Sequence, residues 1–169
     1  MMLAPTVRAL LVAAVMILPA AGTAGESNRA ASLDLPKRFA GTWIGSGRVA
    51  GSDVRARLVW DMVLEGEFLR VQYRFDPVGS GATPFEGHGY YRADTSNVWR
   101  GGWYDTQRAM HALSGYIDGD SLVAMWGAEN APHGRTIYRM LSSNKLEVTD
   151  SIRGKDGAWR EFGRVLYSR

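Results

Sequence analysis

The chain has 169 residues, no cysteine, and 20 basic against 17 acidic side chains. The missing thiols exclude disulfides, thiol catalysis and thiolate metal sites. The basic excess is scattered, with no basic block, so an isoelectric point of 9.4 describes a mixed-charge surface and does not point to nucleic acid as a partner.

Residues 1–24 read as a secretory signal peptide. Arg8 supplies the positive charge, Ala9 to Ala21 is almost wholly apolar, and small residues follow through Ala24 and Gly25. A membrane span needs about 20 apolar residues, and this run is shorter, so no transmembrane anchor is expected in the mature form. A signal without disulfides points to a bacterial periplasm or the secreted space. Residues 25–32 read as a disordered lead. Residues 33–169 then form one domain, long enough to bury a core without a covalent staple.

Leu33 to Phe39 suggests a short helical plug at the N-terminus. Beyond it no helical period is sustained, and the chain runs as short alternating segments separated by turn residues. Phe39 to Ala50 is the first. Val54, Ala56, Leu58, Trp60, Met62 and Leu64 share one face of the second. Glu65-Gly66 turns into a third, with Leu69, Val71, Tyr73 and Phe75 together. Further strands are expected at Phe85–Ala93, Asn97–Asp105, Ala109–Ile117, Ser121–Gly127, Arg135–Leu141, Lys145–Arg153 and Ala158–Tyr167. The expected fold is all-β: about ten antiparallel strands in up-and-down order, closed into a barrel so that no edge is left. A two-sheet sandwich is the alternative. Tight turns at Glu65-Gly66, Asp94 to Ser96, Asp118 to Asp120 and Ser142 to Asn144 fall at one end. Longer connections at Pro77 to Pro84, Asp105 to Arg108 and Ala128 to Gly134 fall at the other, which implies a closed base and an open mouth.

Gly41-Thr42-Trp43 resembles the Gly-x-Trp opening of the calycin barrels, which include lipocalins, fatty-acid-binding proteins and nitrobindins. The mature chain also resembles bacterial lipocalin-like secreted proteins. The resemblance implies a basic residue near the end of the last strand packed over the tryptophan, and Arg164 matches by position. A guanidinium stacks well on an indole while bonding backbone carbonyls. The run Gly41 to Gly47 more nearly resembles the nitrobindin opening. Gly51-Ser52-Asp53 leaves no room for the two helices of fatty-acid-binding proteins. Nitrobindins hold haem through a His near the C-terminus. Trp159 to Tyr167 has none, so no cofactor is expected unless His88, His111 or His133 substitutes.

Three clusters are candidate sites. Glu86, His88 and Tyr90 alternate, so one strand face would carry a carboxylate, an imidazole and a phenol suited to acid–base work, or else a polar row in solvent. Gly87 and Gly89 beside them imply a thin wall. Trp99, Trp103 and Asp105 share a face that either lines a cavity or packs the core. Asp150 falls among Leu146, Val148 and Ile152, which points it inward, where a carboxylate needs a partner. No two histidines have metal-ligand spacing, so no metal is expected.

These readings favour a barrel that binds a small apolar or aromatic molecule, with Trp103, Trp126, Tyr138 and His88 as its ligand-binding residues. Trp43 and Arg164 are structural. The alternative is a cofactor-free isomerase, cyclase or lyase using His88, Glu86, Tyr90 and Asp150. A third reading is an interaction protein that acts through its mouth loops. The side chain of His88 is expected to point inward.

Overall fold

The computed structural model describes residues 37–79, 83–94, 98–128 and 131–169. The expected signal peptide and lead, and residues 33–36 of the expected plug, lie outside the described residues. Ten strands follow one another: β1 (Gly41–Val49), β2 (Ser52–Val63), β3 (Phe68–Pro77), β4 (Phe85–Ala93), β5 (Val98–Asp105), β6 (Met110–Asp118), β7 (Ser121–Ala128), β8 (Ala131–Ser142), β9 (Lys145–Arg153) and β10 (Trp159–Ser168). Each pairs antiparallel with its sequence neighbour, and β1 pairs with β10 to close the barrel. The sandwich alternative is therefore excluded. Up-and-down order follows from the hairpin turns. Ala50 and Gly51 both take positive φ, 48° and 85°, as a two-residue primed turn requires.

The alternation read from sequence sorts inside from outside. Val54, Ala56, Leu58 and Trp60 of β2 and Leu69, Val71 and Tyr73 of β3 are buried in the interior. The base is packed with aromatic side chains. Among the described residues, only residues 37–39 are helical. Phe39 is fully buried, stacked on Trp60 at 5.4 Å and edge-on to Tyr138 at 6.5 Å. Its carbonyl accepts the Trp43 indole N–H at 2.7 Å.

The cation over Trp43 is Arg169, not Arg164. Arg169 Cζ lies 4.3 Å from the Trp43 ring centroid. Its guanidinium donates to the carbonyl of Ala40 at 2.7 Å and to that of Ser143 at 2.8 and 3.0 Å. Register explains the correction. Arg164 stands opposite Arg48, out of step with the inward Val165, so its side chain emerges on the outer surface. There it donates to Glu147 at 2.8 Å and chelates Glu161. The expected chemistry is present, five positions further along the chain.

The connection read as Ala128 to Gly134 is mostly strand. β8 begins at Ala131, and a bulge beside Trp126 and Gly127 absorbs the extra residue.

Candidate functional site

A cavity of about 370 Å³ fills the half of the barrel nearest the β1–β2, β5–β6 and β9–β10 connections. Small-molecule pockets run from about 300 to 1,000 Å³, so this one suits a ligand of a few rings. Its wall is aromatic: Tyr73, Phe75, Phe85, Trp103, Trp126 and Tyr138 all line it. Phe75 stacks on Phe85 at 4.7 Å between centroids, and Phe85 on Trp103 at 6.4 Å, both with planes within 15°.

Glycines make room for the two indoles. A Cβ at Gly87 would lie 2.0 Å from Trp103 Cζ2, and one at Gly134 would lie 2.1 Å from Trp126. The glycine-thinned wall expected around Gly87 is thus the seat of a neighbouring indole. Hydrogen bonds fix both rings. Trp103 Nε1 donates to Asp105 Oδ2 at 2.9 Å, and Trp126 Nε1 donates to Thr136 Oγ1 at 3.2 Å.

Asp150 lies in the wall of this cavity and is only 6 % exposed. Thr136 Oγ1 donates to its Oδ1 at 2.6 Å, and Tyr73 Oη donates to its Oδ2 at 3.0 Å. Its described partners are two neutral hydroxyls. Burial pushes the carboxyl up from 3.8 to about 6, against the two hydrogen bonds, which act to lower it. Burial, followed by the charge of Asp150, raises the Tyr73 phenol well above its ordinary value, so it stays a neutral donor. Tyr138 is raised mainly by burial as well.

The Glu86, His88 and Tyr90 row points outward, contrary to the expectation for His88. The β3–β4 register pairs Phe75 with Phe85 and Tyr73 with Gly87, which sends the odd-numbered residues of β4 inside. Burying Phe85 and Tyr91 and clearing space for Trp103 outweighs any gain from burying Glu86 and His88. Outside, Glu86 joins a surface ion-pair row. His88 Nε2 lies 3.0 Å from its Oε1, and Arg74 Nη1 donates to its Oε2 at 3.1 Å. The bonds from His88 and then Arg74 hold the Glu86 carboxyl below its usual value. The structure therefore separates His88, Glu86 and Tyr90 from Asp150 by the barrel wall.

Of the residues named in the sequence reading, Trp103, Asp105, His111, Trp126, Tyr138 and Asp150 meet at one cavity, and Trp99 belongs to the core. Tyr73 and Thr136 line it without having been singled out as site residues. Their signal was parity alone: Tyr73 follows Leu69 and Val71, and Thr136 precedes Tyr138 by two. His111 lies 5.5 Å from Trp126 and 5.4 Å from His133, ring to ring, on the mouth side. Among the described residues no group of three or more His, Asp or Glu side chains is placed to hold a metal ion.

No protein-family model matches the chain, and no curated protein matches its sequence. Solved structures match its fold. Rv2717c from M. tuberculosis superposes with a TM-score of 0.60 at 14% identity, over 82% of this chain and 96% of that one. The S-type phycobiliprotein lyase CPES from Guillardia theta gives a TM-score of 0.54 at 10% identity, over 81% and 91%. The chain shares with them the fold of a closed antiparallel β-barrel.

Proposed function

We propose that this barrel binds a small, mostly apolar or aromatic molecule, admitted through the mouth and held against Trp103, Trp126 and Tyr138. The observation that carries the reading is the aromatic cavity of about 370 Å³, with its indoles locked by hydrogen bonds and glycine seats. Rigid aromatic walls with a few fixed polar groups are what a binding site needs, because little side-chain freedom is lost on binding. The signal-peptide reading and the absence of cysteine support action in the periplasm or outside the cell. Native mass spectrometry of protein purified from its own host tests both points. A mature chain beginning near Gly25 with one small molecule retained supports the proposal. A full-length chain without ligand speaks against it.

An enzyme reading stands beside it on the burial of the Asp150 carboxyl in the cavity wall. Asp150 is a carboxyl raised to about 6 inside the cavity, the range a general base uses. The structural neighbour from Guillardia theta is named a lyase. His88 takes no part in this version, because it lies outside. Turnover abolished by Asp150→Asn with binding retained would favour the enzyme.

A further inference from the structure

The cavity holds a charge pattern that a neutral ligand leaves unbalanced. Its lining contains two carboxylates, Asp150 and Asp105, and no Lys or Arg among the described residues. Neither carboxylate makes a salt bridge to a described residue. A buried carboxylate is ordinarily paired with a cation, since removing it from water is costly.

The donors on the wall are already committed to these acids. Thr136 and Tyr73 donate to Asp150, and Trp126 donates to Thr136 behind it. Trp103 and the backbone N–H groups of Gln107 and Ala109 donate to Asp105, at 2.9, 2.9 and 3.1 Å. An anionic ligand would meet two like charges and few free donors. A cationic one would meet a carboxylate with lone pairs to spare, and the faces of tryptophan, tyrosine and phenylalanine rings, which attract cations within about 6 Å.

We propose that the ligand is a cationic aromatic amine, its ammonium group set against Asp150 and its rings against the indoles of Trp103 and Trp126. This rests on the binding-barrel reading and narrows its ligand class. Asp150 supplies the counter-charge. Asp105 adds a second negative charge while it holds Trp103 in place.

Three probes on one ring system separate charge from shape: 2-naphthylmethylamine, 2-naphthylmethanol and 2-naphthoate, each titrated calorimetrically at pH 7.5. The amine should bind at least about tenfold tighter than the alcohol, as one charge-assisted contact provides, and the naphthoate should bind weakest. Asp150→Asn should bring the amine down to the level of the alcohol and leave the alcohol nearly unchanged. The wild-type ranking stands as a test even if that variant fails to fold. An alcohol or naphthoate binding as tightly as the amine overturns the cation assignment and leaves the binding barrel standing. No measurable binding of any of the three overturns the assignment and counts against the barrel reading too.

Discussion

Asp150→Asn tests the electrostatics of the cavity without any ligand. Folding carries this carboxyl from water into a wall where it is 6 % exposed, with Thr136 and Tyr73 as donors. Its pKa rises from 3.8 to about 6, so between these values the folded chain binds more protons than the unfolded one. Stability from this group is fully present below pH 3.8 and is lost as pH rises through 6. Each tenfold gain in proton affinity is worth about 1.4 kcal/mol, so the loss amounts to about 3 kcal/mol by neutral pH, of which about 2 falls between pH 4 and pH 7. Asparagine keeps the shape without the charge, and the Thr136 and Tyr73 hydroxyls can turn to suit its amide. Glu86 and Glu161 are held below their usual values and titrate in the opposite sense, but they do so in both proteins. Urea unfolding at pH 4 and pH 7 should therefore show Asp150→Asn gaining about 2 kcal/mol on the wild type over that range. Parallel pH profiles for the two proteins would refute the buried, cation-free environment assigned to Asp150.

Gly87→Ala places a methyl 2.0 Å from Trp103 Cζ2, so it should cost about 1–3 kcal/mol in urea unfolding and shift the tryptophan fluorescence. Arg169→Ala removes the cation over Trp43 and the bonds to Ala40 and Ser143, and should cost about 1–2 kcal/mol. Arg164→Ala should cost less, because Glu147 keeps Arg139 at 2.6 Å, and the reverse order of melting temperatures would contradict the seam described. Haem titration should give no one-to-one Soret species, and one that vanishes in His111→Ala would identify a ligand on the cavity wall instead of the last strand.

The barrel was legible because its strands alternate cleanly and its turns carry glycine, asparagine and aspartate. Phe85–Ala93 and Lys145–Arg153 have the bounds that pattern implies. Ala131 to Gly134 did not read as strand, since its proline and glycine imitate a loop. A bulge and the indole of Trp126 use those residues inside the sheet. Within β4 both faces carry aromatic side chains, so the alternation alone gives the inward expectation for His88 only a narrow margin. Only pairing with β3 and β5, which sets Gly87 beneath Trp103, decides that His88 is outside. Asp150 was found from parity on its own strand. Thr136 stands directly opposite it on β8, and Tyr73 reaches it from across the barrel, so neither contact is written in any single strand's pattern. The seam shows the same limit. The chemistry of a guanidinium over Trp43 was legible, but β10 sends Arg164 outward, and Arg169 takes the place.

A ligand held in the aromatic half of the barrel must be displaced when that space is filled. Leu113 is buried and lines the cavity, while Leu166 is exposed on the outer surface. Titration of the fluorescent neutral aromatic dye Nile red compares wild type, Leu113→Trp and Leu166→Trp. One saturable site is expected in the wild type and in Leu166→Trp, and loss of that site in a folded Leu113→Trp, as judged by circular dichroism. Dye binding that survives in folded Leu113→Trp, or that disappears in Leu166→Trp, would place the site on the outer surface instead of in the barrel.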